Sequence, residues 1–307
     1  MSDARAQERN YITDVAPRDG LQNQKVPVTT DFKLELIQRL CEAGVGSIEV
    51  GAFVSPKAVP QMADAATVTR KVNELHPDVR ASVLVPNLRG LQIAHEAGAR
   101  EIAVVLSATE TMNRKNINMG LQEACDASVA TLQRAADHGM RTRAYVAVAF
   151  DCPFEGETPI DRVVELARQM KDAGAQEIVI ADTIGAASPG MVKERMRAIA
   201  EAVPLAQLAV HFHDTRGMGA ANAWAALEAG VRRFDASVGG IGGCPFAPGA
   251  AGNLATEDLV LMAERSGFCT DIQIDKLLDA IDLAEAALQM PLGGRSIAWL
   301  RRQRERA

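Results

Sequence analysis

The sequence lacks the features that mark several classes of protein. It has five cysteines, an odd number, and no CxxC pair, so neither a disulfide framework nor a cysteine zinc site is indicated. No apolar run approaches membrane-spanning length, and the polar residues 1–10 lack the apolar core of a signal peptide. A net charge of −6 argues against nonspecific binding to nucleic acid, which needs a basic surface. We therefore expect a cytoplasmic protein that binds neither nucleic acid nor membrane.

The order of apolar runs predicts the fold. The chain has 307 residues, enough for two domains or for one α/β barrel. Eight short strand-like runs alternate with amphipathic helical segments, and a polar loop at 107–118 follows the fourth run. This rhythm predicts a (β/α)8 TIM barrel over about residues 10–267, a helical extension over about 268–307, and a single domain in all. A doubly wound open sheet is the alternative, but no GxGxxG follows the first strand.

Two histidines at the end of the seventh predicted strand are the first candidate site. The run Leu208 to Phe212 reads as a strand, and His213 follows it directly. Successive side chains of a strand point to opposite faces, so His211 and His213 share one face and aim two imidazoles at one point. A divalent metal needs such a pair, although an isolated HxH can also merely fill a polar strand end.

The other predicted strand ends carry further polar groups. In a barrel, function sits where the strands end and the βα loops begin. The ends carry Asp19, Glu49, Asp182 and the histidine pair, and a glycine-rich run with Asn253 follows strand eight. Asp19, His211, His213 and Asn253 offer mixed oxygen and imidazole ligands, which suit Mg²⁺ or Mn²⁺, with Zn²⁺ or Co²⁺ as substitutes.

Arg18 and Cys244 are two more candidates. A guanidinium beside a metal site can stabilise a developing enolate or bind a carbonyl oxygen, although an adjacent Arg-Asp pair is usually a salt bridge. Cys244 stands between glycines that let a loop bend and Pro245, which stiffens it. A thiol there can donate a proton, while the alternative is an inert small residue.

Together these residues resemble the 3-hydroxy-3-methylglutaryl-CoA lyases, a family of metal-dependent barrel lyases. The loop around Cys244 is the most specific piece, because the related condensing enzymes lack it. The resemblance covers nearly the whole chain and rests on these stretches: Pro17 to Asn23, Ser47 to Glu49, Phe53 to Lys57, Lys115 to Asn118, Asp182 to Gly185, His211 to Thr215, Gly242 to Pro245 and Gly249 to Asp258.

The resemblance implies a reaction and a role for each site residue. The reaction is a retro-Claisen cleavage of 3-hydroxy-3-methylglutaryl-CoA to acetyl-CoA and acetoacetate, with Asp19 or Asp182 as the base. The implied metal ligands are Asp19, His211, His213 and Asn253. Arg18 would polarise the thioester carbonyl, Cys244 would protonate the product enolate, and Glu49 and Asp182 would support catalysis. The implied substrate contacts, CoA phosphates included, are Arg18, Gln22, Lys25 and Arg143.

Three alternatives stay open at this stage. The loop at 108–114 differs from the family pattern, so another 3-hydroxy-acyl-CoA, such as citramalyl-CoA or an isoprenoid-derived glutaryl-CoA, can be the substrate. A metal-dependent aldolase could use the same ligands. A noncatalytic acyl-CoA-binding barrel would bind ligand without turnover. For every version, we expect an acyl-CoA partner and a homo-oligomer, a dimer or higher.

Overall fold

Eight parallel strands close into a barrel. The structure is a computed structural model, and it describes residues 8–243 and 252–306. The barrel order is β1, β8, β7, β6, β5, β4, β3, β2, which confirms the predicted (β/α)8 TIM barrel. The strands are β1 Tyr11–Asp14, β2 Ser47–Ala52, β3 Arg80–Leu84, β4 Glu101–Ser107, β5 Arg141–Ala147, β6 Glu177–Asp182, β7 Leu208–Phe212 and β8 Arg233–Ala236.

Helices cover the outside of the barrel and continue after its last strand. They are α1 Thr30–Glu42, α2 Ala65–Leu75, α3 Leu88–Glu96, α4 Glu110–Ile117, α5 Leu121–Asp137, α6 Ile160–Asp172, α7 Pro189–Ala200, α8 Gly219–Glu228, α9 Thr256–Arg265, α10 Ile274–Leu288 and α11 Ile297–Arg304. The predicted helical extension corresponds to α10 and α11, and α10 packs against α1. Among the described residues, no helix combines the length and the apolar character that crossing a membrane requires.

The segment predicted as a polar loop after β4 contains helix α4 instead. Thr109 precedes the helix, and Asn118 ends it in the left-handed conformation at a φ of 55°. Glu110 pairs with Arg114 one turn later at 2.6 Å. The Asn113 amide donates to the carbonyl oxygens of Ser107 and Thr109 at 2.7 and 2.9 Å. The contacts described here are polar. The helix has no apolar stripe from which the sequence could have predicted it.

Helix α1 shows how the sequence builds one covering helix and joins it to the extension. The Thr29 hydroxyl accepts a hydrogen bond from the Phe32 N–H at 3.2 Å and caps the first turn. Leu36, Ile37 and Leu40 form the fully buried face of the helix. Gly44 follows at a φ of +92°, and a Cβ there would lie 2.5 Å from the Asp271 carbonyl oxygen. Only glycine therefore allows this turn to pass so close to the segment that leads into α10.

Ion pairs occupy the inside of the barrel toward the start of its strands. Arg143 of β5 is 1% exposed and contacts Glu177 of β6 at 2.7 Å and Asp235 of β8 at 2.6 Å. Arg80 pairs with Glu101 at 2.7 Å. A charge buried without a partner would cost several kcal/mol. The pairing therefore lets the barrel hold fixed charges below its mouth, where most barrels hold aliphatic side chains.

Two adjacent carboxylates fasten the segment before α11 to the loop after β8. Glu257 accepts the N–H groups of Gly294 at 2.7 Å and Gly239 at 3.0 Å. Asp258 accepts the N–H groups of Arg295 at 2.6 Å and Ser296 at 2.9 Å. Burial raises the pKa of Glu257 to about 7, although its hydrogen bonds from the backbone act in the opposite direction. Folding is therefore linked to the protonation of this carboxyl.

We predict that Glu257→Gln removes a pH-dependent part of the stability. The folded protein holds the Glu257 proton more tightly than the unfolded chain, whose value is near the ordinary 4.5. The stabilising contribution is therefore complete below pH 4.5 and is lost as the pH rises through about 7, a change of roughly 3 kcal/mol. Urea unfolding of both proteins from pH 4.5 to 8 should show the wild type losing that much stability relative to the variant as the pH rises. Glu42→Gln, an exposed surface change, is the control, and a pH-independent difference would contradict the linkage.

Candidate active site

The two histidines at the end of β7 point toward one side of the strand, as predicted. His211 and His213 are both buried, and their ring centroids lie 5.2 Å apart. Phe212, between them, packs on the opposite side against Phe150, with ring centroids 6.1 Å apart. His213 also pairs with Asn253 through an isolated antiparallel bridge. The backbone of the segment after β8 is thereby held beside the histidine pair.

Asp19 completes a cluster with the two histidines. It lies in the single π-helical turn Ala16–Gly20 that follows β1. One donor atom from each of Asp19, His211 and His213 lies within 4.8 Å of the others. The Asp19 Oδ2 and His211 Nε2 atoms are 4.0 Å apart. The chain thus brings together a carboxylate and an imidazole pair that are nearly 200 residues apart in sequence, at a spacing suited to one cation.

Two buried atoms in this cluster support the fit to a metal ion. Within residues 8–243 and 252–306, Asn253 Oδ1 and His213 Nδ1 are buried and have no hydrogen-bond partner. The Asn253 amide nitrogen donates to Asp19 Oδ2 at 2.9 Å and to the Ile241 carbonyl oxygen at 3.2 Å. Buried polar atoms normally have partners, so these orphan lone pairs indicate a ligand. The donor set of Asp19, His211, His213 and Asn253 can hold a divalent cation.

The protonation states of Asp19 and His213 suit cation binding. Burial raises the pKa of Asp19, but the Arg18 guanidinium and the two histidines outweigh burial and hold it below its ordinary value. Burial, with His211 as a smaller cause, lowers the pKa of His213 to about 4. Burial lowers the pKa of His211, but the hydrogen bond to Asp235 and the charges of Asp19 and Asp235 together outweigh burial and raise it. Asp19 is therefore ionised and His213 neutral at pH 7, as metal ligands must be.

Arg18 is held in place by two carboxylates. Its Nε and Nη2 atoms each lie 2.6 Å from Glu49 Oε2, and its Nη1 donates to Asp19 Oδ1 at 2.7 Å. Desolvation opposes the charge of Arg18, but Glu49 and Asp19 outweigh it and raise the pKa of the guanidinium. Burial raises the pKa of Glu49 more strongly than Arg18 lowers it. Arg18 is thus a fixed positive group beside the candidate metal site.

Asp235 is a site residue that sequence reasoning missed. Its Oδ2 lies 3.3 Å from His211 Nδ1 and accepts the Tyr145 hydroxyl at 2.6 Å, while its Oδ1 accepts Arg143 Nη2 at 2.6 Å. Burial raises the pKa of Asp235, but Arg143 and the hydrogen bonds outweigh burial and leave it well below its ordinary value. Asp235 lies inside β8, before the strand end that we searched. The available signal was a carboxylate between Phe234 and Ala236 in a short strand.

Asp182 and Arg143 occupy well-defined positions that do not belong to the cluster of ligands. The carboxylate oxygens of Asp182 accept the N–H groups of Ala186 at 2.8 Å and Ala187 at 3.0 Å. Burial raises the pKa of Asp182 to about 6, against these hydrogen bonds. Arg143 lies inside the barrel in its ion pairs with Glu177 and Asp235. This placement favours an internal structural role for Arg143 over the substrate contact that the sequence indicated.

Gln22 and Lys25 line a groove next to the site, and Cys244 lies outside the described residues. The groove measures about 740 Å³ and lies between residues 22–33 and 60–64. Lys25 is exposed, while Lys33 is buried and paired with Asp64 at 2.6 Å. Asn23 Nδ2 donates to the Gly243 carbonyl oxygen at 3.4 Å. The chain just before Cys244 therefore contacts the segment that follows the turn with Arg18 and Asp19.

Known proteins resemble this chain over most of its length. The chain is 45% identical to the mitochondrial hydroxymethylglutaryl-CoA lyase of Homo sapiens over 273 residues, 89% of this chain and 84% of that protein. It is 41% identical to the hydroxymethylglutaryl-CoA lyase YngG of Bacillus subtilis over 286 residues, 93% and 95% of the two chains. A solved HMG-CoA lyase from Acinetobacter baumannii, in complex with coenzyme A and 3-methylmalate, superposes with a TM-score of 0.90 at 39% identity and covers 94% of each chain.

The family model described as HMGL-like matches residues 9–284. This range includes all eight barrel strands, the cluster of Asp19, His211 and His213, and Asn253. With that match and these relatives, the chain belongs to the HMGL-like family.

Proposed function

We propose that this protein is a carbon–carbon lyase that cleaves 3-hydroxy-3-methylglutaryl-CoA to acetyl-CoA and acetoacetate with a bound divalent cation, Mg²⁺ or Mn²⁺. The observation that carries the proposal is the cluster of Asp19, His211 and His213, with donor atoms within 4.8 Å, beside the fixed guanidinium of Arg18. The names of the relatives at 41 and 45% identity support the same reaction. Asn253 supplies the fourth ligand through its orphan Oδ1.

Arg18 is the group that stabilises charge on the substrate. When bound, the divalent cation supplies Lewis-acid polarisation of substrate oxygens. The contacts of Arg18 with Glu49 and Asp19 use Nε and one N–H of each terminal nitrogen. A guanidinium carries five N–H groups, so within the described contacts one N–H on each terminal nitrogen is open. Two such donors can bind the thioester carbonyl oxygen, on which negative charge develops as the enolate forms.

The difference in pKa between two carboxyls favours Asp182 as the base. A general base works best with a pKa near the operating pH. The pKa of Asp182 is raised to about 6, whereas that of Asp19 is below its ordinary value. Asp182 can therefore accept the proton of the 3-hydroxyl, directly or through a water, while Asp19 stays ionised as a ligand.

Gln22 and Lys25 are placed to bind the CoA part of the substrate. Both line the groove of about 740 Å³ beside the turn that carries Arg18 and Asp19. Coenzyme A is long and anionic, so a groove that presents an exposed ammonium beside this turn matches it. We propose that Lys25 contacts a CoA phosphate.

We predict that removal of divalent metal stops the cleavage and that Mg²⁺ or Mn²⁺ restores it. The protein is stripped with a chelator, and acetyl-CoA and acetoacetate released from 3-hydroxy-3-methylglutaryl-CoA are measured before and after metal addition. His211→Ala should lose turnover, because two nitrogens must face the cation. His95→Ala is the matched control, since His95 stacks on His138 at the helix surface.

Two results would contradict this proposal. Turnover that survives complete chelation would exclude the metal-dependent mechanism. Faster release of acetyl-CoA from citramalyl-CoA, or from another 3-hydroxy-acyl-CoA in the same assay, would leave the reaction in place and change the substrate.

We predict that Arg18→Lys lowers kcat by about 10² to 10³ while Mn²⁺ binding stays within a few-fold of wild type. Lysine keeps the charge but cannot contact Glu49 and Asp19 and still present two N–H groups to a carbonyl oxygen. Steady-state kinetics and Mn²⁺ titration of the same preparation measure the two effects. Arg39→Lys on the exposed face of α1 is the control, and an unchanged kcat in Arg18→Lys would refute the role of Arg18.

We predict that Cys244→Ala nearly abolishes thioester cleavage, because it removes the proposed proton donor to the product enolate. Cys269→Ala is the matched control, since Cys269 donates to Asp271 at 2.9 Å on a segment beyond α9. Product release is measured for both variants, and circular dichroism checks that each is folded. A metal-dependent aldolase would barely change in Cys244→Ala, so full activity of that variant would favour the aldolase.

A further inference from the structure

We propose that Asp235 is a positioning residue of the metal centre, which holds His211 with its proton on Nδ1 and its Nε2 lone pair toward the cation. The inference rests on the proposed function only in requiring that Asp19, His211 and His213 bind a divalent ion. It adds Asp235 to the site and gives the Nδ1 atoms of the two histidines different roles.

The His211 ring is suspended between two carboxylates. Its Nδ1 lies 3.3 Å from Asp235 Oδ2, and its Nε2 lies 4.0 Å from Asp19 Oδ2. Asp235 and His211 are direct neighbours in the register of β8 against β7. The contact between His211 and Asp235 is therefore set by strand pairing, whereas Asp19 approaches from the turn after β1. A metal-bound histidine commonly donates its second N–H to a carboxylate, which fixes the ring and its tautomer.

Asp235 is itself fixed as an acceptor. The Tyr145 hydroxyl donates to its Oδ2, and the Arg143 guanidinium donates to its Oδ1, each at 2.6 Å. Arg143 in turn is held by Glu177 at 2.7 Å. A buried carboxylate with these two donors is ionised and has no proton to give. The contact with His211 must therefore use the Nδ1–H of the ring as donor, and this leaves Nε2 as the free lone pair.

His213 uses its ring nitrogens differently from His211. Its Nδ1 is buried and has no hydrogen-bond partner within the described residues, which leaves that lone pair for the cation, whereas His211 Nδ1 contacts Asp235. The two imidazoles of the pair are thus not equivalent, since His211 is oriented from inside the barrel. A change at Asp235 should act on the metal through His211 and leave the position of His213 unchanged.

The test compares Mn²⁺ binding to wild type, Asp235→Asn and Glu177→Gln by electron paramagnetic resonance titration. Glu177→Gln is the matched control, because it also removes a carboxylate partner of Arg143 but does not contact His211. We expect Asp235→Asn to weaken Mn²⁺ binding by about 10- to 100-fold and Glu177→Gln to stay within a few-fold of wild type. Mn²⁺ binding by Asp235→Asn within twofold of wild type would overturn this inference but not the proposed metal centre. A wild type that binds no divalent ion would overturn the metal centre and the inference together.

A second measurement covers the case in which Asp235→Asn does not fold, since that change leaves the buried Arg143 with less compensating charge. Tyr145→Phe keeps every charge and removes one donor to Asp235, and we expect it to weaken Mn²⁺ binding more than Glu177→Gln does; binding equal to that of Glu177→Gln would contradict the inference. In the wild type, ¹⁵N histidine spectra of the Mg²⁺-loaded protein should show His211 protonated at Nδ1. A His211 proton at Nε2 would overturn the inference whatever the variants do.

Discussion

The ion pair between Arg143 and Asp235 is the interaction on which the site depends. Both side chains are 1% exposed, and their atoms approach to 2.6 Å. Asp235 and Arg143 stabilise each other inside the barrel, with Glu177 as a second partner of Arg143, because an unpaired buried charge is strongly destabilising. With the pair in place, Asp235 remains an anion beside His211, its neighbour across the β7–β8 pairing. The charge that orients a mouth histidine therefore comes from the packed interior of the barrel.

A second buried series of charged side chains also reaches the cluster. Glu49 of β2 holds Arg18, and Arg18 holds Asp19. Each series of contacts begins at a strand carboxylate, Glu177 or Glu49. Each ends at a side chain of the proposed metal centre, His211 or Asp19. The ligands are thus positioned before any cation arrives, so binding does not have to order them. This preorganisation also keeps Arg18 rigid at the point where substrate charge would develop.

The sequence predicted the barrel and the cluster well because both follow from local patterns. Alternating strands and helices identify the barrel, and residues at strand ends meet at its mouth whatever the exact register. Asp235 was missed and Arg143 was interpreted as a substrate contact because their roles depend on pairing across strands. Arg143 and Asp235 are 92 residues apart, and no local pattern links them. Helix α4 was missed for a different reason. The Asn113 amide and the ion pair between Glu110 and Arg114 stabilise it, and it has no apolar face that a sequence pattern could indicate.

The groups proposed for bond cleavage and those proposed for binding CoA lie in different parts of the fold. Asp19, His211 and Arg18 stand at strand ends and are held by buried charges, so a change in any of them disturbs the interior as well. Gln22 and Lys25 line a groove formed by segments outside the strands, where exposed side chains can change at little cost to folding. A protein with this architecture can keep the bond-breaking step and alter the acyl-CoA that it accepts. The same separation explains why the cluster of Asp19, His211 and His213 could be predicted from strand ends, whereas no such pattern points to the groove.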